Sequence, residues 1–513
     1  MPHHSIAMVP RSAPLLWEER LLRAWPLFVL VGVLYRFFHG WYHMLWNAAP
    51  DQLAWGLILD EMVQSGTWSY SRLMFYPHEG GSLLVGLLSL PFRPLAGIMP
   101  PLSWVALVGD ALSCCIQIAV VRRHFAPRSA LLFTAWTVFS IPMIVPWATV
   151  NFGLHSLTAF APFLLLHYTT GPRASTWKAG LACGVCIVLA YDCLVLLPAY
   201  GSWLLLQHGS LRGLVAQGSR FALGCALPLV PHALLRVYCD IGFHLVGADE
   251  IFSIRGLEWA GLSSASLVNI LTTLHSTLPA SFLISTFEVV PPRVLAMVVL
   301  GFILCGTIGA FGKRRQRPDS LPLIALCVGW FLLIYGISPL FTARIDVNGY
   351  FHYRHLCFIA PLLVLWMCQG FAALSRTGAA LGILWVLLCS SASITDTVRT
   401  KRHWNPVVKA TGWVVARKFG HDPQHLVRVI GAAPAYFRND LLFGFGWGTT
   451  AAVFEGEHPP EPRPVEKLKL LWDQYPSDMR PMFWNGVEQA FDPGITPDLD
   501  ERYRLVVQER LVR

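Results

Sequence analysis

The chain has 513 residues, 54% hydrophobic and only 13% charged, with a formal net charge of +9. An ordinary soluble domain carries about 25% charged residues, so this composition excludes a soluble globule and calls for a polytopic membrane protein. The 39 lysines and arginines punctuate apolar stretches instead of clustering on one polar face, which excludes nucleic-acid binding and leaves their distribution to orient the chain, since cytoplasmic loops collect Lys and Arg.

Residues 1–24 hold Arg11, Arg20 and Arg23 and read as a cytoplasmic N-terminus. They lack an early apolar core, so the first span, 25–46, is expected to be an anchor and not a cleaved signal. The loop 47–100 then lies outside. Within it Leu53, Leu57 and Met62 interleave with polar residues from Gln52 to Gln64, the pattern of an interfacial helix. The stretch 82–99 is apolar but broken by Pro91, Arg93 and Pro94, and reads as a surface or re-entrant helix.

Further spans are expected at 102–121, ended inside by Arg122-Arg123-His124, at 129–145 and at 154–168. The region 178–207 carries Tyr191-Asp192 at its middle. One span there would bury an aspartate, at roughly 3 kcal/mol, so two short spans meeting outside at Asp192 are expected. A seventh span covers 221–238. A second outer loop, 239–292, contains an interfacial helix over 267–287. Spans at 294–311 and 320–337 lead to a third outer segment, 338–355, and spans at 356–374 and 379–394 follow. The expected fold is an all-α polytopic membrane protein of about eleven transmembrane helices over 25–394, with every basic cluster on one side.

Residues 395–513 are charged and punctuated by proline, and read as a separate, soluble, mainly helical domain on the outer side. Helical runs are expected at 407–419 and 465–474. Arg438-Asn-Asp-Leu-Leu-Phe-Gly444 and Arg480-Pro-Met-Phe-Trp-Asn-Gly486 are loosely alike and suggest a small helical repeat. No catalytic motif is visible there. All twelve cysteines lie before position 390, nearly all within apolar stretches. Cys183-Gly-Val-Cys186 has redox spacing but no βαβ pattern beside it, so small packing residues are the better reading.

The chemistry-bearing residues collect in the outer segments. Asp51 follows Pro50 and opens the first-loop helix, as a helix N-cap or as a catalytic carboxylate. Asp60 and Glu61 lie about two and a half to three turns further on. They either share Asp51's cavity or form the wet side of the helix, and the wet side is favoured. A carboxylate at a water–lipid boundary can serve as a general base or hold a divalent cation such as Mg or Mn. Arg344, His352, Arg354 and His355 cluster before the span at 356–374, on a side where basic residues are rare. An anion held there, a lipid phosphate above all, explains them. Arg72 and His78 in the first loop can serve the same end. The histidines have no zinc spacing, and no nucleotide-binding loop is present.

The run Asp51-Gln-Leu-Ala-Trp-Gly-Leu-Ile-Leu-Asp-Glu-Met62, then Gly66-Thr-Trp68, then Phe75-Tyr-Pro-His-Glu-Gly-Gly-Ser-Leu-Leu84 resembles the first outer loop of bacterial GT-C-type polytopic glycosyltransferases, family 39-like. Asn151-Phe-Gly-Leu-His155 and Tyr353-Arg-His355 resemble positions that such enzymes decorate. The resemblance implies a polyprenyl-phosphate-linked sugar as donor, an outer-face active site, a catalytic aspartate in the first loop, with Asp51 as its best match, and a periplasmic C-terminal domain. Catalytic candidates are therefore Asp51, Asp60 and Glu61, with Asp51 also a possible metal ligand. Substrate-binding candidates are Arg72, Tyr76, His78, His155, Arg344, His352, Arg354 and His355. Many relatives have a histidine four residues after the aspartate, where this chain has Trp55, and the turn reads Pro-His-Glu-Gly in place of a shorter Pro-x-Gly.

The expected activity is transfer of a sugar to a glycan, lipid or protein acceptor, in a bacterial inner membrane. Two rival readings are a lipid-linked-glycan flippase and a non-catalytic scaffold. A transporter predicts internal repeats and functional charges at mid-membrane depth. No repeat of spans is visible, and Asp110 is the one clear acid deep in a span, where a helix-packing hydrogen bond accounts for it.

Overall fold

The computed structural model describes residues 20, 23–47, 61–66, 87–95, 101–139, 159–170, 174–238, 301, 304, 320–337, 358–373, 380, 382–384, 387, 404–419, 422–433, 438–454, 468–469, 472–473 and 475–491. Among them there is no strand, and the elements are helices. In chain order they are α1 (Trp25–Asn47), α2 (Pro101–His124), α3 (Pro127–Phe139), α4 (Ala161–Thr169), α5 (Thr176–Leu189), α6 (Leu196–Gln207), α7 (Leu211–Tyr238), α8 (Ser320–Ile337) and α9 (Ala360–Ala373). The C-terminal helices are α10 (Trp404–Phe419), α11 (Pro423–Ala432), α12 (Arg438–Phe454) and α13 (Arg480–Ala490).

By length and apolarity, 104–124 in α2 and 211–238, the whole of α7, are each sufficient to cross a bilayer, and α1, α5, α6, α8 and α9 contribute shorter apolar runs. Helix α8 has the bounds expected for the span at 320–337. Residues 140–145 of the expected third span, 154–158 of the fourth, and most of the eighth and eleventh lie outside the described residues. In the apolar stretch within the first loop, residues 87–95 are helical, with Leu90–Leu95 as a 3-10 turn.

The first three helices are fastened by charge. Arg36 of α1 donates through Nε to Asp110 Oδ2 of α2 at 2.5 Å and through Nη2 to Oδ1 at 2.6 Å. Its Nη1 donates to the Thr137 carbonyl of α3 at 2.5 Å. Both side chains of the pair are buried. Asp110 is thus half of a forked ion pair and not the simple packing hydrogen bond expected from its sequence position. At the start of α1, the Arg122 guanidinium lies 5.2 Å from the Trp25 ring centroid, so α1 and α2 run antiparallel, with the basic residues at one shared end.

Helices α5 and α7 approach more closely than side chains of ordinary size allow. Gly180 and Gly184 of α5 face Phe221, Cys225 and Pro228 of α7, and Gly224 faces Trp177 and Leu181. A methyl group at Gly180 would collide with the Phe221 carbonyl oxygen. Small residues four apart are the usual way to bring two helix backbones together in a membrane. Thr176 donates to Gln217 at 2.7 Å one turn before these contacts. Residues 176, 180 and 184 therefore meet partners that advance along α7 in the same direction, and the two helices are parallel. Helix α6 must return between them, and the turnaround is the 3-10 turn Tyr191–Val195. This is where the aspartate at 192 led two short spans to be expected. Buried apolar side chains of these helices, among them Ile118, Trp136, Phe331 and Phe371, form one cluster.

Candidate functional site

A second apolar cluster belongs to the C-terminal helices. It contains Val415 and Ala416 of α10, Leu426, Val429 and Ile430 of α11, Phe445 of α12, and Phe483 and Val487 of α13. It also contains Met62 of the first loop, Val105 from the start of α2 and Ala190 from the α5–α6 turnaround, with Leu90 and Phe92 packed against it. The C-terminal helices therefore sit on that end of the helix bundle which is opposite Arg122 and Trp25, and Glu61 and Met62 of the first loop lie against them there.

The contact is charged at its centre. Residues 61–65 are helical, and Gly66 ends them with φ +69, the left-handed conformation that closes a helix. Glu61 is only 1% exposed. One of its oxygens, Oε1, accepts from Arg428 Nε at 2.7 Å, and the other, Oε2, lies 3.2 Å from His425 Nδ1. His425 is fully buried, while the Arg428 side chain is 40% exposed. The two partners are three residues apart on α11, which puts them on one helix face. That helix begins at a fixed point. The Asp422 side chain accepts from the His425 backbone N–H at 3.0 Å, and Pro423 occupies the first turn. The wet-side expectation for Glu61 is thereby overturned, because the tail covers that face of the loop helix.

The C-terminal helices owe their own close packing to glycine. Gly444 and Gly448 of α12 press on Gly412 and Trp413 of α10, while Gly446 and Gly486 lock α12 against α13. Arg438 donates to the Ala433 and Gly431 carbonyls, at 3.2 Å each. Arg480 does the same to Tyr475 and Asp473, at 2.9 and 3.1 Å. The two arginines make the same pair of bonds, five and seven residues back, and each is followed six residues later by a close-contact glycine. The loose likeness of the two sequences is thus a likeness of bonding. On the outer side of α10 and α12, Lys409 lies 4.0 Å from Asp440 and 4.2 Å from the Phe443 ring centroid. Burial pushes the Asp440 carboxyl up, against the opposing pull of Lys409.

Of the predicted site residues, Glu61 is the one whose surroundings are defined. Asp51, Asp60, Arg72, Tyr76, His78, His155, Arg344, His352, Arg354 and His355 lie outside the described residues. Among the described residues no three His, Cys, Asp or Glu side chains converge to hold a metal ion. His425 and Arg428, which sequence reasoning passed over, are the tail residues that reach the first loop.

The sequence matches no family model and no curated relative. Its structure does have relatives. ArnT from Cupriavidus metallidurans, crystallised with undecaprenyl phosphate, superposes with a TM-score of 0.50 at 16% identity over 82% of this chain and 76% of that one. The chain has the GT-C glycosyltransferase fold. The archaeal oligosaccharyltransferase AglB from Archaeoglobus fulgidus, solved with an inhibitory peptide and a dolichol-phosphate, gives a weaker likeness, with a TM-score of 0.44 at 11% identity over 79% of this chain and 60% of that one. At these identities the likeness concerns the GT-C fold and carries no residue assignment.

Proposed function

We propose that the protein is an integral-membrane glycosyltransferase that moves a sugar from a polyprenyl-phosphate donor to a glycan, lipid or protein acceptor. The observation that carries this reading is the GT-C fold shared with a structure that holds undecaprenyl phosphate. The first-loop sequence, which resembles that group independently of the fold, supports it. The site lies on the outer face of a bacterial inner membrane, with the N-terminus in the cytoplasm, about eleven spans over 25–394, and the domain 395–513 in the periplasm.

In this reading Asp51 takes the proton of the acceptor hydroxyl as the acceptor oxygen attacks the anomeric carbon. The bond from that carbon to the donor's phosphate oxygen breaks, and polyprenyl phosphate leaves with the electron pair. Arg354, with Arg344 or Arg72, holds the phosphate as its charge grows, while Tyr76, His78, His155, His352 and His355 line the donor and acceptor. The leaving group is already a good one, so positioning and charge stabilisation suffice. Alternatively, Asp51 is a ligand of a divalent cation, Mg or Mn, which would activate the acceptor hydroxyl in its place.

The transporter reading draws on a functional charge deep in the membrane, and Asp110 was its candidate. The forked pair with Arg36 fixes that carboxylate in the helix framework. The test of the proposal is transfer by purified protein in lipid vesicles from a panel of radiolabelled polyprenyl-phosphate sugars. Turnover of one donor supports it, and a folded protein that turns over none refutes it.

A further inference from the structure

We infer that Glu61, His425 and Arg428 form a latch through which the C-terminal helices hold the segment 61–66 of the first loop in place, and that sugar transfer depends on this hold. The inference rests on the glycosyltransferase reading for its catalytic part but not for its mechanical part. Its basis is the cost of an unpaired charge. A carboxylate as buried as Glu61 is tolerable only when its lone pairs are taken up. Its two oxygens are met by two side chains of α11 that lie 364 and 367 residues further along the chain. Met62, the next residue, is fully buried in the apolar cluster of the same helices. Withdrawal of the tail would take the Arg428 guanidinium and the His425 ring away from Glu61 and expose Met62. Docking of the tail and placement of the loop helix are therefore one equilibrium, and each stabilises the other.

Rigidity on the partner side makes the latch specific. Asp422 and Pro423 fix where α11 begins, so His425 and Arg428 present their side chains at a fixed height. On the loop side Gly66 fixes where the helix ends. Glu61 is thus a positioning residue, acting through the segment it anchors, and not a group that touches substrate. The acid partner is supplied by the loop and the bases by the tail, so the loop is held only when the tail is folded and seated.

Two measurements on the full-length protein in vesicles test this together. Hydrogen exchange of the amides at 62–65 and 424–432 is followed in wild type, Glu61→Gln, Arg428→Ala and Arg428→Lys. Transfer from the radiolabelled polyprenyl-phosphate sugar that wild type turns over is measured in the same variants. Arg428→Ala is expected to speed exchange in the loop helix at least about tenfold, and Glu61→Gln to speed exchange in α11. In both, kcat is expected to fall on the order of 100-fold, as for a misplaced catalytic group, with donor KM within about threefold. Arg428→Lys, which keeps a cation at the carboxylate, should recover most of both. Loss of kcat in Glu61→Gln with unchanged exchange in both segments would overturn the inference and make Glu61 a group in the chemistry itself. Unchanged exchange together with unchanged kcat would overturn it as well. If wild type transfers no sugar the glycosyltransferase reading fails, and the exchange arm alone decides whether the latch exists.

Discussion

Removing Asp110 alone should cost far more than removing Asp110 together with Arg36. Among the described residues Arg36 makes two charge-assisted bonds to the Asp110 carboxylate and one to the Thr137 carbonyl. Asp110→Leu deletes two of them and leaves a guanidinium, 3% exposed, without its counter-charge. Breaking a buried pair from one side costs about 3–5 kcal/mol, whereas replacing both partners by apolar residues of similar size is close to neutral. At roughly 2 °C per kcal/mol for a large chain, Asp110→Leu should lower the melting midpoint by on the order of 5–10 °C. The double variant Arg36→Met with Asp110→Leu should recover most of that loss. The assay is thermal loss of the monodisperse peak in detergent, with helicity followed by circular dichroism. A double variant no more stable than Asp110→Leu would refute the reasoning, because the penalty would then belong to lost packing and not to an orphaned charge.

Glycine packing gives a contrasting pair. Gly486→Ala should destabilise the C-terminal helices by about 2 kcal/mol or more, since its methyl would strike the Phe443 carbonyl oxygen, whereas Gly431→Ala, with nothing within 4 Å, should be neutral or stabilising by up to about 1 kcal/mol; denaturant titration of the tail's tryptophan fluorescence reads both. Gly180→Val should force α5 and α7 apart and lower the yield of folded protein, measured by monodispersity in detergent. For Asp440 the folded-state pKa lies above its ordinary value of 3.8. A group shifted this way contributes its stability below the unfolded pKa and loses it as pH rises through the folded one. Asp440→Asn should therefore raise the tail's melting midpoint relative to wild type at pH 7 and lose that advantage below about pH 4; melting curves at the two pH values check this.

Much of the membrane framework was legible because apolar length is a local property. The apolar run at 320–337 became α8 with unchanged bounds, and Asp192 marked the turnaround between α5 and α6 because a charge is excluded from a span. Helix α7 begins at Leu211, ten residues before the apolar signal, and carries Arg220 within it. Hydropathy marks the part of a helix that meets lipid and not the turns that continue beyond it. The Arg36–Asp110 pair was missed because Asp110 was weighed within its own span alone, although Arg36 stands deep in another span and one basic and one acidic residue so placed are a pairing signal. Glu61 was read as solvated for a related reason. Its helix has a polar face, and what covers that face comes from 367 residues away. His425 and Arg428 carry no motif, and only the fold brings them to the first loop. The glycines at 444, 446, 448 and 486 were visible as composition, but which faces they press against depends on how the helices are arranged.

The central claim is sugar transfer directed by a first-loop carboxylate. Its most direct test is transfer from the radiolabelled polyprenyl-phosphate sugars by wild type beside Asp51→Asn and Asp60→Asn, each checked for folding by monodispersity. The account predicts turnover by wild type and by Asp60→Asn, and loss of several orders of magnitude in Asp51→Asn. Full activity in a folded Asp51→Asn protein, or none in wild type with any donor, would contradict it.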